Sequence, residues 1–488
     1  MKALAFLPGL TSHRYLLPTA LLAAVGVGWL TSALGLLLPG ILLGVMVASF
    51  FVVLVFLQPR VGIIAYIVYC FALGYIGRHA NINLPLGAGM DILLVLTWLA
   101  AAFQRPQQLD WSKVKTDLCL LALVWFVINL LEIGNPAGAS FAGWLGEMRP
   151  ITLYWVLTVP LCAVIFNKYR DLRLFLQLII GFSVLGALYG IKQKVLGVDA
   201  MEQQWLDSGP AETHVLWGKL RVFSFYAEAA QFGASQAHIG LVCLILALGP
   251  FIWWKRILFA MASLATLYGM LISGTRGAMF VLAAGTLIYL ILSKQAKVLM
   301  LGLVLASFAF IALKYTYIGN GNSDIVRLRS SLDPQDASFQ LRLRNQATLR
   351  DYLSNRPFGE GVGSIGNWGQ QYNADKFIST IAPDSYYVKI WAEYGIIGFI
   401  IWFGMMLFIL GKCCGIVWHI RNPQLRQKLL ALTAGFGGIL VSSYGNEVMN
   451  QIPSSMILYL SWVFIFLGPE LDTPTNALSG HTASLSHE

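Results

Sequence analysis

The sequence predicts an all-α polytopic membrane protein, a bundle of about 12–14 transmembrane helices with a large extracytoplasmic loop that contains short helices. Of its 488 residues, 57% are hydrophobic and only 11% are charged. Soluble domains average about 45–50% apolar and about 25% charged residues, so this chain has too few charges to cover a water-soluble surface. The composition therefore excludes an ordinary soluble enzyme, a disordered protein and a nucleic-acid-binding protein, although the formal net charge is +10.

Apolar segments of roughly membrane-spanning length, about 20 residues, follow one another along the chain and are separated by polar breaks. Each segment is interpreted as one transmembrane helix. The segments are 16–33, 36–57, 61–77, 84–103, 117–132, 150–166, 172–191, 233–253, 257–272, 277–292, 298–314, 385–411, 428–444 and 453–468.

The basic residues predict the orientation of the bundle. Lys and Arg are concentrated in alternate short loops, for example at 105–115, 168–173 and 412–428, and short loops of this kind face the cytoplasm. Both termini are therefore predicted to be cytoplasmic. The two long loops, 192–232 and 315–384, then lie on the extracytoplasmic side, and loops of this length usually carry function.

Within the larger loop, residues 339–354 are predicted to form a helix. Arg342 falls on its apolar face and Arg344 on the opposite face, so a helix packed against the bundle would bury the first arginine and leave the second in water. The apolar face consists of Phe339, Leu343, Ala347, Leu349 and Leu353.

Ionisable residues near the apolar segments are concentrated on the predicted outer side. Such residues are costly inside a membrane, so each is a candidate functional residue. A transporter is expected to place them near the middle of the membrane, whereas this distribution indicates a cavity that opens to the outside, where a lipid-linked substrate can present its head group. The residues are Asp91, Glu132, Glu147, Arg149, Arg221, Glu228, His238, Arg276, Asp384, Lys389, Glu393 and Glu447.

Three outer arginines are candidates for binding a diphosphate. Arg221 opens the stretch R-V-F-S-F-Y-A-E-A-A-Q-F-G, Arg276 lies in S-G-T-R-G-A, and Arg342 lies on the apolar face of the predicted loop helix. The planar guanidinium suits two-point contact with phosphate oxygens. The alternative for each arginine alone is an interfacial residue whose charge reaches the head-group region.

The glycine-rich stretch N-R-P-F-G-E-G-V-G-S-I-G-N-W follows the loop helix. Gly361, Gly363 and Gly366 fit G-x-G-x-x-G, but no strand precedes them, so the pattern predicts a tight turn with exposed N–H groups instead of a nucleotide site. Trp368 and Tyr372, just beyond, are predicted to stack on sugar rings.

Acidic residues accompany the helix that follows the large loop. Asp384 precedes this helix and is interpreted either as its N-cap or as a general base. Lys389 and Glu393 are four residues apart and can pair on one helix face. The sequence contains no D-x-D pair or histidine cluster suited to a divalent ion, so we expect a metal-independent mechanism and no cofactor.

The order of these motifs resembles the O-antigen ligase/O-antigen polymerase family, integral-membrane glycosyltransferases that act on undecaprenyl-pyrophosphate-linked glycans. The resemblance covers about 215–400 and includes Arg221 before a span, S-G-T-R-G-A, Arg342 fifteen residues before Pro357, P-F-G-x-G-x-G and D-S-Y-Y-x(5)-E-x-G-I-I-G. It implies a bundle of the C-type glycosyltransferase class in the bacterial inner membrane, with an extracytoplasmic active site.

The resemblance also implies roles for single residues. Arg221, Arg276 and Arg342 match arginines that bind the diphosphate and glycan of the lipid donor, and Glu393 matches the helix after the large loop. Asp384 stands where ligases carry a His at the head of an H-N-x-x-L pattern. This departure favours the polymerase branch, with Asp384 and Arg276 as the catalytic residues.

The predicted function is therefore polymerisation of lipid-linked repeat units into a surface polysaccharide by an inverting transfer. The alternatives are a ligase that transfers a finished glycan to a lipid or protein acceptor and, in another class, a lipid-linked oligosaccharide transporter. Expected partners are the undecaprenyl-pyrophosphate-linked glycan, membrane lipid and a chain-length regulator. The predicted division is 1–214 for the N-terminal transmembrane helices, 215–411 for the ligase/polymerase-like core, 412–468 for the C-terminal transmembrane helices and 469–488 for a disordered cytoplasmic tail.

Overall fold

The fold is almost entirely helical. A computed structural model describes residues 37–79, 86–105, 107–216, 218–294, 296–321, 323–330, 332–383 and 385–472, together with the isolated residues 25, 29, 32 and 35. Within these ranges, the chain forms helices, loops and one two-stranded hairpin. Eight of the described helices are long and apolar enough to cross a membrane, and three shorter ones are also apolar. The predicted all-α polytopic architecture is confirmed.

Every predicted span from 36–57 onward coincides with a helix. The first predicted span, 16–33, lies outside the described residues apart from isolated positions. In chain order the helices of the first half are α1 (Leu37–Leu57), α2 (Pro59–His79), α3 (Leu86–Ala102), α4 (Asp117–Leu131), α5 (Phe141–Met148), α6 (Tyr154–Ile165), α7 (Tyr169–Leu196), α8 (Ala200–Asp207) and α9 (Ala211–His214), followed by the strands β1 (Val215–Leu216) and β2 (Lys219–Leu220). Those of the second half are α10 (Ala229–Ala247), α11 (Trp253–Ile272), α12 (Ala278–Leu292), α13 (Ala296–Tyr315), α14 (Ser323–Ser330), α15 (Ala337–Leu353), α16 (Gly366–Tyr372), α17 (Tyr386–His419), α18 (Pro423–Ser442), α19 (Ser454–Phe466) and α20 (Gly468–Leu471).

Helix α10 lies at the centre of the bundle and is buried along almost its whole length, where it packs against α11, α12 and α18. Small residues allow this close approach: a Cβ on Gly240 would lie 2.7 Å from Leu267, and a Cβ on Gly285 of α12 would lie 2.7 Å from the Ala434 carbonyl oxygen. Helices in membranes associate largely through such contacts. Hydrogen bonds join the turn before α12 both to Ala229 at the start of α10 and to Ser442 at the end of α18. These three helix ends therefore meet at one end of the bundle, which we call the loop face.

The large loop contains the short helices α14, α15 and α16, as predicted. Arg344 is exposed on α15, as predicted, whereas Arg342 is half-buried instead of fully buried. The predicted apolar face is correct only at its C-terminal end, where Leu349 and Leu353 are buried. Nearer the N-terminus Phe339 and its neighbours on that face are exposed, because only the last turns of α15 join the apolar cluster at the start of α17.

Helix α17 bends at Gly395, whose φ of +67° is a backbone conformation that favours glycine. A Cβ at this position would overlap the carbonyl oxygen of Pro357. The glycine-rich loop packs its backbone on the bend: Gly361 N donates to Glu393 O at 3.0 Å, and Gly363 N donates to Glu393 Oε1 at 3.0 Å. The glycine pattern therefore serves packing, and these N–H groups are bonded to α17 instead of being exposed as predicted.

The C-terminal tail is described only as far as residue 472. Asp472 accepts hydrogen bonds from the backbone N–H groups of Arg421 at 2.7 Å and Asn422 at 2.8 Å. The start of the predicted tail 469–488 is thus bonded to the loop before α18, and the rest lies outside the described residues.

Candidate active site

Arg221 connects three segments of the loop face. Its backbone N–H donates to His214 O at 2.7 Å. The guanidinium donates to Thr213 O at 3.0 Å and reaches Thr275 Oγ1 at 3.5 Å. Thr275 in turn donates to Ala229 O, at the start of α10, at 2.9 Å. The side chain predicted to bind substrate is therefore held between α9 and the turn before α12, and Thr275 joins that turn to the first turn of α10.

Arg276 lies at the other end of that turn and binds the large loop. Its guanidinium donates to Ser330 Oγ at 3.2 Å and forms an ion pair with Asp336. Gly274, with a φ of +59°, gives the turn its shape, and its carbonyl accepts a hydrogen bond from Arg327 Nε at 2.5 Å. Helix α14 thus places Arg327 and Ser330 against the turn that carries Arg276.

Arg221, Arg276 and Arg327 form what we call the arginine cluster. The pKa of Arg221 is lowered to about 10, chiefly by burial and then by the positive charge of Arg327, with a smaller effect of Arg276 and an opposing effect of Glu228. Burial also raises the pKa of the Glu228 carboxyl. The electrostatic environment is therefore one in which like charges are held close together, a common arrangement for binding an anion.

Arg342 lies on the same face, beside the turn that follows α18. One of its guanidinium nitrogens is 3.8 Å from the position that a Cβ would take on Gly445. The same turn contacts the start of α12, because Ser442 Oγ donates to Gly277 O at 2.8 Å. Tyr444 bonds Gln346 of α15 at 3.4 Å. Arg221 and Arg276 therefore lie at the turn before α12, and Arg342 lies beside the turn after α18 that is bonded to it.

A second group of charges is buried near the start of α17. Lys389 Nζ lies 3.0 Å from Glu147 Oε1 and 3.0 Å from Glu447 Oε2. Asn450 donates to Glu147 at 3.3 Å. The partners of Lys389 are thus residues of α5 and of the loop after α18, in place of the predicted pair with Glu393, which instead accepts the N–H of the glycine-rich loop. This group, Lys389 with Glu147 and Glu447, we call the lysine cluster.

The start of α17 corrects one prediction. Ser385 is the N-cap, and its Oγ accepts the Val388 N–H at 3.4 Å, so the cap predicted for Asp384 is provided by the next residue. Tyr386 N donates to Ser443 O at 3.0 Å, which joins this end of α17 to the turn beside Arg342. Asp384 itself lies outside the described residues, and its catalytic role stays a prediction.

Trp368 and Tyr372 are on α16, which packs against α5. A Cβ on Gly146 of α5 would lie 2.7 Å from the Trp368 ring. The two aromatic rings stack with centroids 5.8 Å apart, and Tyr372 is exposed. Trp368 therefore has a packing role, and sugar stacking by either residue stays a prediction.

Residues 260–403 match the family model described as O-antigen ligase. We call this matched segment the O-antigen ligase domain. The chain is a multi-pass membrane protein, and the match supports a glycan-processing function of the O-antigen ligase/polymerase type. The O-antigen ligase domain includes Arg276, Arg327, Arg342 and Glu393, whereas Arg221 precedes it. No curated protein matches the chain.

Outside the O-antigen ligase domain, one described group of side chains has the composition of a metal site. The ligand atoms of His79, Asp199 and Glu202 all lie within 4.8 Å of one another. The Lys192 ammonium is 3.8 Å from Asp199 and 3.7 Å from Glu202, and the Tyr189 hydroxyl donates to both carboxylates at 3.2 and 3.0 Å. Lysine therefore supplies positive charge to this group, which the sequence analysis did not foresee.

The sequence analysis missed Arg327 as a member of the site. A signal was present, because R-L-R at 327–329 repeats the R-L-R at 342–344, where one arginine is turned inward and one outward. Glu147 and Glu447 were noted as outer ionisable residues, but their meeting at one lysine depends on helices far apart in the chain, which periodicity alone does not reveal.

Proposed function

We propose that this protein polymerises undecaprenyl-pyrophosphate-linked oligosaccharide repeat units at the extracytoplasmic face of the bacterial inner membrane. The main support is the arginine cluster, in which guanidiniums from separate segments meet at the loop face of a membrane bundle. A diphosphate leaving group gains negative charge during transfer, and fixed guanidiniums stabilise that charge without the need for a metal ion.

The proposed reaction is an inverting glycosyl transfer. A hydroxyl oxygen of the acceptor sugar attacks the anomeric carbon of the donor from the face opposite the diphosphate. The bond from carbon to the diphosphate oxygen breaks, its electron pair stays on that oxygen, and the configuration at carbon inverts. Arg221, Arg276 and Arg342 would bind the leaving diphosphate and adjacent glycan, and Asp384 would take or orient the proton of the attacking hydroxyl.

The acidic residue at 384 favours polymerase over ligase, because the resembling ligases carry a His at this point. The second candidate is a ligase that transfers the finished glycan to a lipid or protein acceptor. The description of the matching family model, O-antigen ligase, favours this alternative. The two candidates share the same bond chemistry and differ in the acceptor.

Reconstitution of the purified chain with lipid-linked repeat units tests the proposal. A ladder of products without any added acceptor, in the presence of a chelator, is expected of a metal-independent polymerase. Transfer only after a lipid-core or protein acceptor is added would identify a ligase instead.

Two variants on one helix connect the activity to the site. Arg342→Ala, at the half-buried position, is expected to lower the rate at least tenfold, the loss of about one charge-assisted hydrogen bond. Arg344→Ala, at the exposed position on the same helix, is the matched control and should retain the wild-type rate. Equal rates for both variants would contradict the proposed role of Arg342 in substrate binding.

A further inference from the structure

The large loop places a third guanidinium beside two arginines of the proposed diphosphate site. Arg327 Nε donates to Gly274 O at 2.5 Å. A Cβ on Gly274 would lie 3.1 Å from Arg327 Cδ and 3.9 Å from Arg221 Cγ, so the stems of both arginines flank one glycine. Because Arg276 is only two residues further on, helix α14 brings Arg327 to the same turn.

The cluster has the charge of an anion site. Arg327 is, after burial, the largest influence that lowers the pKa of Arg221, which means that the two cations repel each other across a short distance. Arg276 adds to this repulsion and already binds one oxyanion, the carboxylate of Asp336. An anion with several oxygens would relieve the repulsion and gain charge-assisted hydrogen bonds.

We propose that Arg327 is a further diphosphate-binding residue, contributed to the site by the large extracytoplasmic loop. This inference rests on the proposed function, since the diphosphate is that of the lipid-linked donor. Ser330, on the next turn of the same helix, donates its hydroxyl to Arg327 O at 2.9 Å and accepts from Arg276 at 3.2 Å. Helix α14 therefore lies against the bundle through both residues, and the large loop contributes affinity for the diphosphate.

The same helix offers a matched control. Arg329 is two residues from Arg327, but its guanidinium donates to Ile318 O at 3.0 Å and to the Asn320 side chain. These partners belong to the loop segment before α14, so Arg329 carries the same charge on the same helix without contacting the turn at Gly274.

The test uses the full-length protein in phosphatidylcholine nanodiscs, titrated calorimetrically with inorganic pyrophosphate. Arg327→Gln is expected to weaken binding about 10- to 100-fold, the loss of one hydrogen bond to a charged group. Arg327→Lys keeps the charge but not the planar fork, so an intermediate loss is expected. Arg329→Gln should change the affinity less than about twofold, because the Arg329 guanidinium bonds the segment before α14 and not the turn at Gly274.

Unchanged pyrophosphate binding in Arg327→Gln, or equal weakening in Arg329→Gln, would overturn the assignment. Thermal unfolding checks that each variant is folded. If Arg327→Gln does not fold, pyrophosphate binding by Arg327→Lys decides the question, and unchanged binding would overturn the assignment. Absence of pyrophosphate binding by the wild-type protein would also overturn it.

Lipid-carried anions are distinguished by competition in the same nanodiscs. Displacement of pyrophosphate by undecaprenyl pyrophosphate, but not by phosphatidylglycerol at the same mole fraction, supports a diphosphate site. Equal displacement by both lipids would overturn the diphosphate assignment. Arg327-dependent pyrophosphate binding without any transfer from a lipid-linked glycan would leave this inference standing and refute the proposed function.

Discussion

Lowering the pH from 7 to 5 is predicted to loosen the segment that carries Arg221. The buried ring of His214 lies with Nδ1 2.9 Å from Pro210 O and Nε2 3.3 Å from the Ala229 N–H. A neutral ring with its proton on Nδ1 satisfies both groups. A second proton, on Nε2, would place this N–H against the Ala229 N–H, so that two donors face each other, and it would add a positive charge next to Arg221.

The magnitude follows from the two pKa values of His214. Burial lowers its pKa from the ordinary 6.5 to about 4 in the native state. His214 therefore binds a proton more tightly when the segment is open than when it is closed. The contribution of His214 to the stability of the closed segment is fully present above pH 6.5, falls as the pH drops below that value, and falls no further below about pH 4. Between pH 7 and pH 5, these values raise the population of the open state relative to the native state about 20-fold, which corresponds to about 2 kcal/mol.

Hydrogen–deuterium exchange of the amides in 205–229, corrected for the intrinsic exchange rate at each pH, measures this opening. His214→Gln keeps one donor and one acceptor but does not titrate, so its protection should change less than about threefold between the two pH values. This variant also separates His214 from Glu228, whose carboxyl pKa is raised by burial. Protection of the wild-type segment that is independent of pH, or an equal pH dependence in His214→Gln, would refute the reasoning.

Two further predictions concern stability. Gly395→Ala places a side chain at a backbone conformation that favours glycine and against the neighbouring loop. We expect it to lower the free energy of unfolding by about 3 kcal/mol and to lower the melting temperature. The control is Gly404→Ala, on the same helix with open space around it, which should melt as the wild type does. Lys389→Met leaves buried carboxylates without their cation and should cost about 3–5 kcal/mol. Adding Glu147→Gln should recover part of that loss in thermal unfolding, and a double variant no more stable than Lys389→Met would contradict the ion-pair explanation.

The sequence analysis predicted the membrane helices well because their signal is local. A run of apolar residues is readable without knowledge of its neighbours, and the predicted spans from 36–57 onward fall on helices. The inward and outward positions of Arg342 and Arg344 were also predictable, since helical periodicity separates two residues on one turn. The exposed Phe339 was not, because burial of a loop helix depends on where its partner helix begins.

The candidate site was only partly predictable. Arg221, Arg276 and Arg342 were identified by motif order; the structure puts the first two at the turn before α12 and the third beside the turn after α18, and their roles stay predictions. The sequence analysis placed the cap of α17 one residue too early, because a cap is decided by the backbone angles at a single residue. It also paired Lys389 with the wrong carboxylate, because an ion pair depends on the contact of segments that are distant in the chain.

By itself, the amino-acid sequence determined that this chain is a membrane protein and which segments of it form the membrane helices. These properties follow from the cost of placing polar groups in hydrocarbon, which acts on each segment separately. Tertiary structure alone decided that Arg327 joins Arg221 across Gly274, that Glu147 and Glu447 share Lys389, and that glycines resembling a nucleotide motif seat a loop on a bent helix. Such contacts join segments from all parts of the chain, so they exist only once the helices have packed.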